Sequence, residues 1–553
     1  MVRNACSAAA PWGVAILRLS RSCVAGEGMK TVGTVRNPII PGFFPDPSIV
    51  RVEDDFYVVN SSFEYFPSIP LWHSRDLVHW QQIGNVIDRP EQGLDLSDVN
   101  PSGGVQAVTI RHHAGTFYVT STRVKKEWPR LDYHFIVTAT DIRGPWSECH
   151  FIEGAEGIDS SLFFDDDGRS YFLANRQKAG SSDTADAEIW MSEIDLETFT
   201  LVGPKQVLWE GTGGIYPEGP RLFKRDGWYY LLIAEGGTLH NHTTSIARSA
   251  HVTGPYLSSP RNPILTHKHL SREYPIQNVG HADMVQLKDG SWWGVCLGSR
   301  PRGGFYDGGN TRYSFGGYYR NLGRETFLFP IQWPADGLSP LFSPVTGRIE
   351  ESYPAPNLKT STGQDLACDF TAESLQIKWV TIGEALPGHT ELIGDGQLQL
   401  QMNESAESTF FGFRQTSWNF RCSFCVHLDA LQEGDTFAFG AYITPAACLS
   451  LQITRGEHLQ LTIGAASGKQ PKFSIPVSDT AVRVELSGHD QDYTFALPEL
   501  GVSHVLNGRE ISCDMTDSHT GVMLAFIGGS QHRTTVLLED FGYTAWETTD
   551  VPS

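Results

Sequence analysis

Residues 41–48 read PGFFPDPS, and residues 49–59 continue IVRVEDDFYVV. Pro45 and Pro47 fix φ on both sides of Asp46 and remove two backbone donors, so the acid sits on a stiff, non-helical segment. Ile49 and Val50, the charged turn Glu53, Asp54, Asp55, and the run from Phe56 to Val59 then read as strand, turn, strand. Alone, Pro-Asp-Pro is good turn chemistry. The same unit recurs, however, beginning at Val105, Asp159, Glu218 and Ala282: an apolar run, a tight turn, an aromatic-rich strand. The turn positions Asp55, Gly115, Gly168, Gly227 and Gly290 are spaced by about 60, 53, 59 and 63 residues, a period that fits propeller blades.

Each repeat supplies one hairpin and enough chain for two more strands, the content of a four-stranded blade. Five blades would place the first strand of every unit beside a central channel, with its leading residue at the channel mouth. In three repeats that residue is an acid: Asp46, Asp159 and Glu218. Like charges converging at one end of a propeller are poor for stability and point to chemistry.

The chain has 553 residues, 40% hydrophobic, which is ample for two domains. Its net charge of −21 argues against nucleic acid or an anionic membrane surface as partner. No apolar window reaches bilayer length. The nine cysteines are odd in number and scattered, which fits reduced thiols. Cys422 and Cys425 form a CxxC, but the surrounding stretch reads as a strand, where residues three apart face opposite sides. No metal is therefore assigned. Residues 1–35 are expected to be a disordered extension: the first 28 are basic, carry one acid at Glu27 and lack a signal-peptide core. A cytoplasmic location is expected.

The propeller should span 36–340, a polar linker 341–368, and a second domain 369–553. In the last, alternating runs at Leu398, Leu449 and Leu459 are separated by Gly, Asn and Asp turns, which reads as an antiparallel β-sandwich. The fold class is all-β.

PDPS at Asp46, GIDSSLFFDDDG at Asp159 and YPEGPRLFKRDGWYYL at Glu218 resemble the three active-site motifs of glycoside hydrolase family 43. LWHSRDLVHW (71–80), GHADMVQ (280–286) and LGRETFL (322–328) are similar to its β-xylosidase and α-L-arabinofuranosidase branch, and FFGFRQTSWNF (410–420) to that branch's appended sandwich. Glycoside hydrolysis needs one carboxylic acid to protonate the leaving oxygen and one carboxylate across the sugar; if the second activates water, the two stand about 6.5–9.5 Å apart and configuration inverts. The resemblance implies inversion, with Asp46 as general base, Glu218 as general acid and Asp159 tuning and orienting that acid. An anion near Glu218 would disfavour a second charge and keep the acid protonated.

The substrate-binding candidates are Arg324, donating to sugar hydroxyls or salt-bridged to an acid; His281, facing the channel or structural; and Phe63, walling the sugar or filling the core. In the family, the histidine equivalent to His281 lies near the axis, in some members close to a bound calcium or water. No cofactor is expected to be required, and a structural calcium near the axis is compatible with the resemblance. Gln106 stands where many relatives carry a stacking Trp, and Val108 replaces a Pro. His519 stands where a Phe is usual, on a sandwich loop that in relatives reaches the site mouth. The expected partner is a xylo-oligosaccharide or arabinoxylan fragment; a homo-oligomer is compatible. The reading is an exo-acting β-1,4-xylosidase, with α-L-arabinofuranosidase or a non-catalytic carbohydrate-binding protein as alternatives.

Overall fold

A computed structural model describes residues 33–547, apart from 126–132, 307–316, 356–357, 359–366, 384–389, 395, 404–408 and 479. The chain is all-β. Among the described residues, α-helix is confined to the short segments Ala372–Ile377 and Cys513–Thr516.

Five antiparallel sheets follow one another along the first part of the chain. They begin with Ser48–Val52, Gly104–His113, Ser161–Phe164, Glu218–Arg225 and Gln277–Gln286. Each of these strands pairs with the next in sequence, so the five recurring hairpins of the sequence are the opening hairpins of the five sheets. Turn chemistry sets the registers. Ala114-Gly115 and Asp226-Gly227 all take positive φ, the condition for a two-residue turn whose twist matches its strands. The opening strands also touch across sheets: Ser48–Val52 meets both Gly104–His113 and Gln277–Gln286, and Ser161–Phe164 meets Gly104–His113 and Glu218–Arg225. They thus surround a common centre.

Asp283 ties that centre together. Its fully buried carboxylate accepts from Ser48 Oγ (2.7 Å) and Ile49 N (3.2 Å) of the first sheet and pairs with Arg111 of the second (3.0 Å). Arg221 of the fourth sheet, itself fully buried, stands 3.8 Å away. A buried charge persists only when paired in this way.

The ring is fastened by chain from its two ends. Gly33–Arg36 pairs antiparallel with Ser352–Ala355, and Asn37 donates to the carbonyls of Leu328 and Glu350 while accepting from Leu328 N. The boundary expected at residue 35 therefore falls inside a strand. Much of the expected linker is also ordered: Leu341–Phe342 closes the fifth sheet and Ser352–Ala355 belongs to the fastening pair. These pairings join residues too far apart in sequence for a local pattern to reveal. The expectation for residues 1–32 lies outside the described residues.

The second domain is a sandwich of an eight-stranded and a six-stranded sheet. Strict alternation in strands such as Ala481–His489 sends Val482, Val484 and Leu486 into one core around Trp379 and Phe526. The two domains share a further cluster of Phe43, Phe63, Tyr65, Val380, Tyr442 and Met523. Polar ties reinforce it: Arg414 Nε donates to Phe43 O (2.9 Å) and Val522 N to Asn321 O (2.7 Å).

Candidate active site

A cavity of about 280 Å³ opens at the centre of the ring, and all eight residues singled out in the sequence line it: Asp46, Phe63, Gln106, Asp159, Glu218, His281, Arg324 and His519. Each arrives there for a local reason. Asn60 Nδ2 donates to the carbonyls of Phe44 and Pro45 (2.9 and 3.0 Å), so the segment is clamped although Pro45 and Pro47 have no N–H to donate. Asp46 takes φ 52°, which turns it off the strand. Asp159 takes φ 63° and its N–H donates to Thr122 Oγ1 (3.0 Å). Gly157, just before it, packs where a Cβ would lie 1.7 Å from Asn175 O, so only glycine fits. Glu218 and His281 sit at bulges of their opening strands, between Glu218 and Arg221 and between Gly280 and Asp283. Bulges re-aim side chains, here toward the cavity.

Asp46 is 4% exposed. Burial opposes its charge, but the Arg324 guanidinium foremost holds its carboxyl below the ordinary 3.8. Arg324 Nη1 lies 3.0 Å from Asp46 Oδ1 and 3.1 Å from Thr238 Oγ1; Nη2 donates to the main-chain oxygen of His519 (3.2 Å). Its guanidinium also covers the Phe63 ring at 5.4 Å. Both readings of Arg324 therefore meet: it is salt-bridged, and it lines the cavity. Phe63 likewise belongs to the interdomain core cluster and to the cavity wall.

His281 is buried, and burial drives its pKa down to about 3 despite Asp46 nearby. Arg221 Nη2 faces its Nε2 at 3.3 Å, so Nε2 accepts and the neutral ring carries its proton on Nδ1. Glu218 is half-buried. Gln106 spends one amide hydrogen on Ser102 O (2.9 Å). The sandwich supplies the wall at His519, whose N–H donates to Ser102 Oγ (2.9 Å).

Sequence reading missed several contributors. His242 lines the cavity, fully buried, with its pKa pushed down by burial to about 4. Its Nδ1 donates to Asn278 O (2.9 Å), and its Nε2 has no protein partner among the described residues, leaving a bare acceptor. Asn175 bridges two acid-bearing segments, accepting from Ile158 N (2.9 Å) and donating to Pro217 O (3.3 Å). Arg221 and Asp283 offer only the weak signal of a charge within an opening strand that also holds other polar residues. The calcium compatible with the resemblance would meet the guanidiniums of Arg111 and Arg221 around Asp283 and a neutral imidazole at His281. That set does not suit a hard cation seeking oxygen ligands.

Comparison with known proteins is consistent along both domains. The family profile for glycosyl hydrolases family 43 matches residues 35–339, and that for the beta xylosidase C-terminal concanavalin A-like domain matches 367–543. A xylosidase/arabinosidase of Butyrivibrio fibrisolvens is 42% identical over 70% of this chain and 73% of its own. A non-reducing end alpha-L-arabinofuranosidase of Bacteroides ovatus is 34% identical over 92% of this chain and 94% of its own. Among solved structures, a xylan beta-1,4-xylosidase from Bacillus halodurans superimposes with a TM-score of 0.82 at 29% identity, over 92% of this chain and all of that one.

Proposed function

Because the chain belongs to glycosyl hydrolases family 43 and is a glycoside hydrolase, we propose that it is an inverting exo-glycosidase releasing terminal xylose from β-1,4-xylo-oligosaccharides, with its five sheets as the five blades of the propeller. The observation that carries this reading is the meeting of Asp46, held ionised by Arg324, with Glu218 and Asp159 in one small cavity walled by the sandwich. Asp46 takes a proton from water as the oxygen attacks the anomeric carbon. Glu218 gives its proton to the leaving glycosidic oxygen from the opposite side. Asp159 disfavours a second negative charge on Glu218 and so keeps it protonated until transfer. Neutral His281 and His242 present nitrogens for hydrogen bonding without competing for the proton Asp46 must accept.

Size and closure support exo action. About 280 Å³ is at the small end of ligand cavities, about 300–1,000 Å³. It suits the end of a chain rather than a polymer passing through, and the segment at His519 blocks one side. A second reading, release of α-L-arabinofuranose, is favoured by Gln106, a polar amide in place of a flat ring. The two relatives described above carry names of both kinds.

Initial rates on the nitrophenyl β-D-xylopyranoside and α-L-arabinofuranoside decide between these, with NMR of the first-formed anomer from xylobiose. A higher kcat/KM on the xyloside and an α-xylose product are expected. A β product would refute inversion, and a dominant arabinofuranoside rate would establish the second reading.

A further inference from the structure

The outer face of the eight-stranded sheet carries a cluster that glycoside hydrolysis does not use. Along Asn419–His427, Phe420, Cys422, Phe424 and Val426 enter the core, while Arg421, Ser423, Cys425 and His427 face outward. Cys422 and Cys425 therefore lie on opposite faces and cannot share an ion. Cys425 has other company. It stands opposite Glu539 on Thr535–Trp546, just past a bulge between Ser423 and Cys425. His427, two residues on, projects from the same face. The ligand atoms of Cys425, His427 and Glu539 lie within 4.8 Å of one another, and all three residues are half-buried. Among the described residues no other group of three such side chains is so close.

We infer that Cys425, His427 and Glu539 form a binding site for a zinc-class divalent cation, with a water in the fourth position. The donor set selects the ion. Zinc accepts thiolate sulfur, imidazole nitrogen and carboxylate oxygen together, whereas calcium and magnesium take oxygen alone. Geometry permits it. Bonds of about 2.0–2.3 Å around a tetrahedral ion place ligand atoms roughly 3.3–3.8 Å apart. Side-chain rotation closes the remaining ångström, because the three residues sit on two paired strands. Charge permits it as well. Binding displaces the thiol proton of Cys425, and thiolate plus carboxylate then balance the dication. Arg483, the cross-strand neighbour of Cys425, is held by Asp540 at 3.0 Å.

The outer partner is already in place. Gln397 Nε2 donates to Glu539 Oε1 (2.7 Å), leaving Oε2 toward His427 Nε2 (2.7 Å). Metal ligands are commonly oriented by such a second contact. The ladder Gln397–Glu539–His427 would be complete with serine at 425; sulfur is the part it does not need. The ion would pin the two strands at their bulge. None of its ligands lines the catalytic cavity, so its effect falls on stability.

Cobalt(II) titration of the reduced full-length protein tests this. One cobalt per chain is expected, with a thiolate-to-cobalt charge-transfer band and tetrahedral d–d bands that zinc bleaches. Cys425→Ser should abolish the charge-transfer band while the metal-free melting temperature stays at the parent value. Gln397→Leu should weaken cobalt by about 10–100-fold. Zinc should raise the melting temperature of the parent and not of Cys425→Ser. Absence of the charge-transfer band in the parent, or its persistence in Cys425→Ser, overturns the site.

Discussion

Replacing Arg324 with glutamine should move the acidic limb of the pH–rate profile upward. The guanidinium lies 3.0 Å from Asp46 Oδ1 and both groups are buried. At an effective dielectric of about 20, charges that close attract by about 5.5 kcal/mol before desolvation is counted. Desolvation offsets much of this, and an aspartate beside an arginine is ordinarily lowered by about 1–3 pH units, or about 1.4–4 kcal/mol. Burial, which raises the pKa, is already the largest single influence on Asp46, and without Arg324 the strongest opposing one is gone. The acidic limb of kcat/KM, which reports the free enzyme, should rise by about 1–3 pH units. Arg324→Lys keeps the charge but loses the fork that also reaches Thr238 and the His519 carbonyl. Its limb should stay near the parent's while KM rises. Stability gives a second reading of the same pair. A lowered folded-state pKa contributes stability above the ordinary 3.8 that is lost as pH falls through the folded value. The melting-temperature deficit of Arg324→Gln should therefore be largest near neutrality and narrow in acid. An unmoved acidic limb in Arg324→Gln, with activity uniformly reduced, would refute the coupling and leave Arg324 a sugar contact only.

Other substitutions probe the remaining parts. Glu218→Gln should cost about 10²–10⁴-fold on xylobiose and much less on aryl glycosides, whose leaving groups need little protonation; equal losses would remove Glu218 as the acid. Gly219→Ala should destabilise by about 1–3 kcal/mol, since φ is +60° and the new Cβ would meet His281 Cε1 at 2.8 Å; a parental melting temperature would contradict this packing. Cutting the chain after Ala355 should abolish activity, because the carbonyl that holds Arg324 and the wall at His519 leave together. A truncated ring that hydrolyses xylobiose at the full rate would show that the sandwich is not part of the site.

The hairpins were legible because each is a local event: two apolar runs, a turn, an aromatic strand. The leading acids were legible because repetition put three of them at equivalent positions. What holds them was not. Arg221 sits in GPRLF and Asp283 in GHADM, unremarkable as isolated charges; the partners of Asp283 come from three other sheets, Arg221 among them. Whether a strand charge is buried and matched depends on contacts that cross the ring. His242 follows a loop-like GGTLHN and shows no periodicity, so its bare nitrogen in the cavity became visible only with the fold. The strand at Gly33–Arg36 was hidden for the same reason at larger scale, since its partner lies at Ser352–Ala355.

That last pairing also sets an order of events during synthesis. Gly33–Arg36 leaves the ribosome early, yet its partner strand follows roughly 300 residues later. At about 5–20 residues per second, the wait is on the order of 15–60 s. Until Gln277–Gln286 emerges, late in that interval, the first sheet can neither meet the fifth nor receive the Asp283 carboxylate at Ser48 and Ile49. A nascent chain therefore carries an open edge over that interval. Stalling between the fourth and fifth sheets should leave a species prone to pair with its own copies, whereas stalling within the sandwich should not.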